Sequence, residues 1–264
     1  MTMLDFLFRL YQVLSLVFLF PLQDRRGRYK TFPYMTALII LLNVVVFLGL
    51  NLLPRWIDIE TLIAVVESLL LRPVDVLAGE GLGALSMITA AFMHFTPSHL
   101  IGNMLILFFF GRKLEDVLGP AKFALFYLAC AFVAGVASVL GWSALPVTQG
   151  QNSSVGASGA IMGVVGAYLF LYSSERIRTV FMITALPIPF FPWIPAWVYI
   201  IYSMARDVLL GQVEKQLQLM GVEFGGIDVF AHMGGIIAGL TLIYFFLPAE
   251  ILHYRHQVGD KPRS

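Results

Sequence analysis

The sequence predicts an all-α fold: a polytopic membrane bundle of six transmembrane helices, preceded by an amino-terminal interfacial helix. The first observation is composition, because 59% of the 264 residues are hydrophobic and only 12% are charged. A soluble domain is about 45–50% apolar. The second is that apolar runs of roughly the 20 residues needed to cross about 30 Å of hydrocarbon recur along the chain. An integral membrane protein in contact with a lipid bilayer is therefore expected.

The predicted elements follow the apolar runs. We place the spans near Tyr34–Leu53, Phe92–Gly111, Phe123–Leu140, Ser158–Ser173, Trp193–Leu210 and Val229–Leu247. These spans form one domain, residues 32–248, between an amino-terminal cytoplasmic or interfacial segment, 1–31, and a cytoplasmic tail, 249–264. The run Met3–Phe20 is interrupted by Asp5 and Arg9, which favours an interfacial helix over a seventh span.

Basic residues predict the orientation, because cytoplasmic connections carry an excess of Lys and Arg. Twelve fall on one side of the predicted spans and four on the other. The twelve are Arg25, Arg26, Arg28, Lys30, Arg112, Lys113, Lys122, Arg176, Arg178, Arg255, Lys261 and Arg263, and the four are Arg55, Arg72, Arg206 and Lys215. We therefore expect both termini in the cytoplasm. The expected location is the inner membrane of a prokaryotic cell.

Several polar residues lie in these spans without an obvious structural reason. Ser158 begins the fourth span, His232 lies one turn inside the sixth, and His94, His99 and Asn103 lie in the outer part of the second. Ionisable groups in a membrane are costly and face the bundle interior or a water-filled cavity. A rise of 1.5 Å per residue puts Ser158 about 5 Å below the outer surface and His232 at a similar depth. An active site toward the outer face is therefore predicted.

Glycine spacing predicts that the fourth and sixth helices touch. One small face comprises Gly159, Gly163 and Gly166, and the other comprises Gly235 and Gly239 on the same side of the sixth helix as His232. Faces of small residues let two membrane helices approach closely. Such a contact would bring His232 to Ser158.

Two interpretations of Ser158 follow. A serine before a glycine-rich helix is most often a helix cap, whereas a serine facing a histidine at the same depth is a candidate nucleophile. We favour the nucleophile. A metalloprotease is disfavoured because the chain has no HExxH, so neither a metal nor a cofactor is expected. With a net charge of +1 and no basic block, nucleic acid is not an expected partner.

Four motifs, in this order along the chain, carry a family resemblance: "HFTPSHLIGNM", "GRKLEDVLG", "GASGAIMG" and "AHMGGIIAG". Together they resemble the rhomboid intramembrane serine proteases, over roughly residues 32–247. The resemblance implies Ser158 as nucleophile, His232 as general base, and His99 and Asn103 as oxyanion-hole donors. Its remaining motif positions are structural: His94, Gly156, Gly159, Gly235, Gly239 and Glu115.

The resemblance implies hydrolysis of peptide bonds in or near the transmembrane helices of substrate proteins. No Asp or Glu is placed in a span so as to complete a triad, so a Ser-His dyad is predicted. Two positions depart from the family: Leu85-Ser86 replaces a common Trp-Arg pair, and Met162 replaces an aromatic residue one turn after the serine.

The loop Gly211–Asp228, with Met220 and Phe224, is expected to cap the site, and Ile57–Leu71 to form an interfacial helix. The alternatives are a catalytically inactive rhomboid-like protein that binds membrane helices, and a small transporter. Retention of Ser158 and His232 argues against the first, and the lack of repeat-related halves argues against the second.

Overall fold

The computed structural model describes residues 3–24, 31–144, 153–183, 186–188, 192–220 and 227–248. Most of these residues are helical. The helices are α1 (Met3–Leu16), α2 (Tyr34–Leu52), α3 (Ile59–Leu69), α4 (Pro73–Ala78), α5 (Ser86–Thr89), α6 (Pro97–Leu118), α7 (Pro120–Ser143), α8 (Ser158–Tyr172), α9 (Ala196–Leu219) and α10 (Val229–Phe246). The main core lies where α6, α7, α8 and α10 meet.

Within the described ranges, three helices are long and apolar enough to cross a membrane. They are α2 with the turn that follows it, α7 and α10. The helical segment 83–92 and α6 meet at an angle of 88°. If these two segments are taken as one bent span, the number of candidate spans is four. Helix α8 has 15 residues, and α9 carries Arg206 and Asp207 within its length. The apolar helix bundle is confirmed, whereas six spans stay a prediction.

The second predicted span begins five residues later than expected. Phe92 ends a 3-10 turn, and His94 lies in the break before α6. Helix α6 begins at Pro97. Proline is accommodated at this first position because an N–H there would have no intrahelical acceptor. Thr96 caps this helix by accepting a hydrogen bond from the backbone N–H of His99, at 3.2 Å. The break therefore determines where the polar side chains of the motif "HFTPSHLIGNM" lie: His94 in the break, and His99 and Asn103 on α6.

A small antiparallel sheet accompanies the helices and was not part of the all-α prediction. Its strands are β1 (Val17–Asp24), β2 (Arg176–Ile183), β3 (Leu186–Ile188) and β4 (Trp193–Pro195). Strand β1 pairs with β2, so the chain is extended from residue 17, where the amino-terminal helix was expected to reach Phe20. The partner strand satisfies backbone groups that an isolated segment would leave unpaired. Helix α1 packs against α9, and its interfacial location stays a prediction.

Two buried carboxylates hold the end of the bundle remote from Ser158. Asp24 forms an ion pair with Lys113 at 3.1 Å. Glu115 accepts hydrogen bonds from the backbone N–H groups of Met35 and Thr36, at 2.9 and 2.7 Å, and from the Thr36 hydroxyl at 2.7 Å. Because the first N–H groups of a helix have no intrahelical acceptor, Glu115 supplies the cap of α2.

The connection before α5 contains helices α3 and α4, and α9 extends beyond the predicted fifth span. Helix α3 lies within the segment 57–71, which was expected to be helical, and Asp58 caps it through Thr61. The backbone N–H and the hydroxyl of Thr61 both donate hydrogen bonds to the Asp58 carboxylate. These bonds, chiefly that from the N–H, lower the pKa of Asp58. Helix α9 continues through Leu219, so the first half of the predicted cap loop is helical. Met220 follows in a turn, and Phe224 lies outside the described residues.

Candidate active site

Ser158 is the first residue of α8 and not its cap. The N-cap position is Ala157, and no side chain caps this helix. Among the residues that the structure describes, no hydrogen bond joins the Ser158 hydroxyl to the backbone of this helix. The first N–H groups of a helix point out of its amino terminus and can bind a negative oxygen. Ser158 is half-buried, so its hydroxyl stands beside such donors without being sealed in the core.

The loop before Ser158 packs against the start of α6 through Gly156. Gly156 has a φ of +113°, a conformation that favours glycine. A Cβ at this position would lie 2.7 Å from Cε1 of His99 and 3.5 Å from Nδ2 of Asn103. The Gly156 N–H donates to the carbonyl of Ala90 at 2.9 Å. His99 and Asn103 therefore lie against the backbone two residues before Ser158.

His94 holds the side chain of Asn103. The amide nitrogen of Asn103 lies 2.8 Å from Nε2 of His94. Because an amide NH₂ has two hydrogens, one can donate to His94 while the other stays available to a second acceptor. The His94 ring is fully buried and meets the His99 ring edge-on at 4.9 Å. The three residues form one cluster at the start of α6.

His232 lies in the first turn of α10, which is anchored to α7. Asp228 caps α10 by accepting from the backbone N–H of Ala231 at 2.9 Å. The same carboxylate accepts from the hydroxyl of Ser138 and, at 3.1 Å, from Nε1 of Trp142, both on α7. These three hydrogen bonds to Asp228 fix the level at which α10 begins. That level decides the depth of the His232 imidazole.

Helices α8 and α10 are in backbone contact. A Cβ on Gly239 would overlap the carbonyl of Gly163, and one on Gly235 would overlap the carbonyl of Gly159. A Cβ on Gly159 would lie 3.4 Å from the Ala231 Cβ. The neighbours of Ser158 and His232 in the sequence therefore touch, which puts the two residues at the same level of the interface. They make no direct hydrogen bond to one another in the described part of the chain, and such bonds are often long without substrate.

A third polar group, Asp207 of α9, contacts His232. Oδ2 of Asp207 lies 2.9 Å from Nδ1 of His232. Oδ1 of Asp207 lies 3.3 Å from Nη1 of Arg206. Asp207 is only 7% exposed. A carboxylate inside a membrane helix bundle that has both oxygens engaged is poised to orient the imidazole.

Sequence reasoning missed Asp207, and the statement that no Asp or Glu in a span could complete a triad was wrong. Asp207 lies inside the predicted fifth span, Trp193–Leu210. An ionisable residue in a span is itself a signal of function. The contact could not be read from spacing, because Asp207 and His232 are 25 residues apart on two different helices.

A cavity of about 60 Å³ opens between α6, α8 and α9. Its lining is mostly apolar, with Arg206 and Asp207 as the charged members. Met162, where the family resemblance implies an aromatic residue, lines this cavity and a smaller one beside His232. The methionine therefore separates the histidine from the larger cavity with a flexible apolar side chain.

The other departure from the family pattern, Leu85-Ser86, lies where a 3-10 turn over 83–85 leads into α5. Ser86 is buried and donates its hydroxyl hydrogen to the carbonyl of Gly83 at 2.7 Å. Met87 packs against α7 so closely that a Cβ on Gly135 would lie 2.6 Å from the Met87 Cβ.

In the described ranges, no group of three or more His, Cys, Asp or Glu side chains is arranged to hold a metal ion.

Comparison with known proteins gives consistent matches. The family model of the Rhomboid domain matches residues 83–249. "Rhomboid protein 1, mitochondrial" of Saccharomyces cerevisiae is 28% identical over 165 residues, 62% of this chain and 42% of that protein. "RHOMBOID-like protein 6, mitochondrial" of Arabidopsis thaliana is 29% identical over 67% of this chain and 50% of its own length. "Presenilin-associated rhomboid-like protein, mitochondrial" of Homo sapiens is 24% identical over 60% of this chain and 37% of its own length.

The comparisons correct one expectation. The chain spans half or less of the length of these relatives. They are eukaryotic proteins named as mitochondrial, so the prediction of a prokaryotic inner membrane was wrong. The physical reason is that the distribution of Lys and Arg reports only which side of a bilayer a loop occupies. It carries no information on which membrane the bundle occupies.

Proposed function

The chain belongs to the rhomboid family, and we propose that it is an intramembrane serine endopeptidase. Its substrates would be membrane proteins, cut in or near a transmembrane helix. The observation that carries the proposal is the convergence of three helices. Ser158 begins α8, His232 lies at the same level of α10, and His99 of α6 packs on the loop before Ser158.

Acylation follows from this arrangement. Nε2 of His232 takes the proton of the Ser158 hydroxyl while Oγ attacks the carbonyl carbon of the substrate peptide. The carbonyl oxygen becomes negative in the tetrahedral intermediate. Its collapse breaks the C–N bond, and the imidazolium returns the proton to the leaving amine. The product at this stage is an ester of Ser158.

Deacylation uses the same groups with water as the nucleophile. His232 takes a proton from water, and the hydroxide attacks the ester carbonyl. Oγ of Ser158 then leaves and recovers the proton from the imidazolium. The water would enter from the end of the bundle where α8 and α10 begin, since Ser158 is not fully buried there.

The oxyanion would be bound by three kinds of donor: the side chain of His99, the amide of Asn103 and the backbone N–H of Ser158. Donors fixed in place before the reaction stabilise the developing charge without having to reorganise. The hydrogen bond from Asn103 to His94 and the contact of His99 with Gly156 provide that rigidity. Gly235 and Gly239 contribute by letting α10 approach α8.

The setting of the reaction is a lipid bilayer, because the helices that carry the site pack among helices of membrane-crossing length. The names of the relatives favour a mitochondrial membrane as the compartment. The substrate would approach from the lipid as a helix and must unwind locally, since a peptide carbonyl in a helix is already hydrogen-bonded.

Labelling with a fluorophosphonate probe tests this function. In detergent-solubilised protein, the probe should modify Ser158, and Ser158→Ala or His232→Ala should abolish both labelling and cleavage of a transmembrane substrate. Ser68→Ala is the matched control, because the Ser68 hydroxyl is exposed and bonds only to the carbonyl of Val65. Labelling that survives Ser158→Ala would refute the assignment. A folded protein that is never labelled would favour a non-catalytic rhomboid-like protein that binds membrane helices.

A further inference from the structure

The carboxylate of Asp207 is the feature of the site that the proposed dyad leaves unused. We propose that Asp207 is a positioning residue for His232: it accepts the Nδ1 hydrogen, keeps Nε2 free to act as the base, and stabilises the imidazolium. Ser158 and His232 remain the catalytic pair, and Asp207 acts on the reaction only through the imidazole. This inference rests on the proposed protease function and adds a third residue to it.

The tautomer follows from the contact. An ionised carboxylate can only accept hydrogen bonds, so the hydrogen between Oδ2 of Asp207 and Nδ1 of His232 must belong to the ring. In a neutral imidazole only one nitrogen carries hydrogen, and the other then has a free lone pair. At the 2.9 Å separation of these atoms, the neutral ring therefore exposes a basic Nε2. That atom is the one which must accept the proton of Ser158.

The second oxygen of Asp207 is engaged as well. Nη1 of Arg206 lies 3.3 Å from Oδ1, and an arginine remains protonated under all ordinary conditions. Both oxygens are thereby held in one orientation by groups on two sides. The side chains of Asp207 and His232 are 10% and 13% exposed, so water competes only weakly for the contact.

The neighbours of the pair leave few other partners for the imidazole. The small cavity beside His232 is lined by Met162, Met204, Asp207, Val208, Val229 and Met233. Asp207 is the only group among those lining residues that is charged. Among the residues that line this cavity, Asp207 is the hydrogen-bond partner available to the ring, and a rotation of the ring toward the others would bury a polar nitrogen against methionine and valine at a cost of roughly 1–3 kcal/mol.

Asp207 should act on turnover more than on binding. Positive charge appears on the imidazole only when the proton of Ser158 is transferred, so the carboxylate stabilises the transition state and the intermediate and not the bound substrate. In soluble serine proteases, loss of the equivalent carboxylate lowers turnover by about 10⁴-fold. We expect kcat to fall by roughly 10²–10⁴-fold in Asp207→Asn, with KM changed by less than about threefold.

The first arm of the test measures the tautomer in the unmodified protein, so it needs no variant that might fail to fold. The ring nitrogens of ¹⁵N-histidine-labelled protein are recorded, and the His232 signals are assigned by their loss in His232→Gln. A hydrogen on Nδ1 and a bare Nε2 at the pH of the activity assay is the expected result. A hydrogen on Nε2 alone would overturn the proposal. A hydrogen on both nitrogens would also overturn it, because His232 and Asp207 would then form a structural ion pair with no nitrogen free to act as the base.

The second arm compares kinetics of Asp207→Asn, Asp207→Ala and Asp207→Glu with a transmembrane substrate in liposomes. Asp75→Asn is the matched control, because Asp75 pairs with Arg72 on α4, away from His232. We expect the loss of kcat in the first two, partial recovery in the glutamate variant, and wild-type kcat in the control. Wild-type kcat in Asp207→Asn would refute the inference while leaving the protease function intact. A wild-type protein inert to the fluorophosphonate would instead refute the function, and the tautomer would still be measured.

Discussion

The imidazole of His99 lies against the backbone of Gly156, with Cε1 only 2.7 Å from where a Cβ would stand. This contact joins α6 to the loop before Ser158. Gly156 is also held by its bond to Ala90, so neither partner can withdraw easily. His99, a proposed oxyanion donor, can therefore occupy this position only because Gly156 has no side chain.

Gly156→Ala should lower cleavage by at least 10²-fold while the protein remains folded. The added methyl group would displace His99, and a misplacement of about 1 Å can cost such a factor. Gly79→Ala is the control, because Gly79 has a φ of +72° but nothing within 4 Å of its Cβ position. It should cost only the backbone strain of about 1 kcal/mol. Equal cleavage activity of Gly156→Ala and Gly79→Ala would show that cleavage does not depend on the position of His99 against Gly156.

His99→Ala and Asn103→Ala should each reduce turnover by about 10²–10³-fold, with a smaller change in apparent substrate affinity. Each would remove one donor to the oxyanion but neither the nucleophile nor the base. Steady-state kinetics on folded samples measures both parameters. Full turnover in Asn103→Ala would make Asn103 structural and leave the oxyanion hole to His99 and backbone N–H groups.

Glu115→Ala should destabilise the bundle without touching the reacting groups. It leaves the buried N–H and hydroxyl of Thr36 and the partly buried N–H of Met35 without their acceptor, and an unsatisfied buried donor costs roughly 1–3 kcal/mol. We expect a loss of about 3 kcal/mol in the free energy of unfolding, measured by denaturation in detergent. Glu67→Ala, at an exposed position of α3, should change it by less than about 0.5 kcal/mol. A similar value for both would mean that water replaces Glu115.

Chelation should leave cleavage unchanged, because a serine mechanism requires no bound metal. The measurement is cleavage of a transmembrane substrate before and after treatment with EDTA. Activity that is lost on chelation and restored by zinc would contradict the serine mechanism and favour a metalloprotease.

Cleavage should fall within the half of the membrane that holds Ser158, at a point where the substrate helix unwinds easily. The nucleophile begins α8 and does not lie in its middle, so a scissile carbonyl must come to that level. The family resemblance implies small residues at the cleavage site. Mass spectrometry of the product termini would locate the cut, and a site in the opposite half would contradict this geometry.

Much of this protein was predictable from the sequence by itself. Membership of the rhomboid family, inferred from four ordered motifs, is confirmed by the family match over residues 83–249. The apolar runs identified the helices, because length and hydropathy are local properties of the chain. The glycine faces indicated which helices meet, since small residues recurring on one helix face are visible without coordinates.

Only the tertiary structure decided which distant groups pair. It brought Asp207 to His232 across two helices, gave Glu115 to the amino terminus of α2, and paired β1 with β2 from opposite parts of the chain. The physical reason is that a hydrogen bond depends on the rotation and depth of both elements to within a few tenths of an ångström. Hydropathy and motif spacing determine those quantities for one helix at a time, whereas packing between helices determines them for a pair.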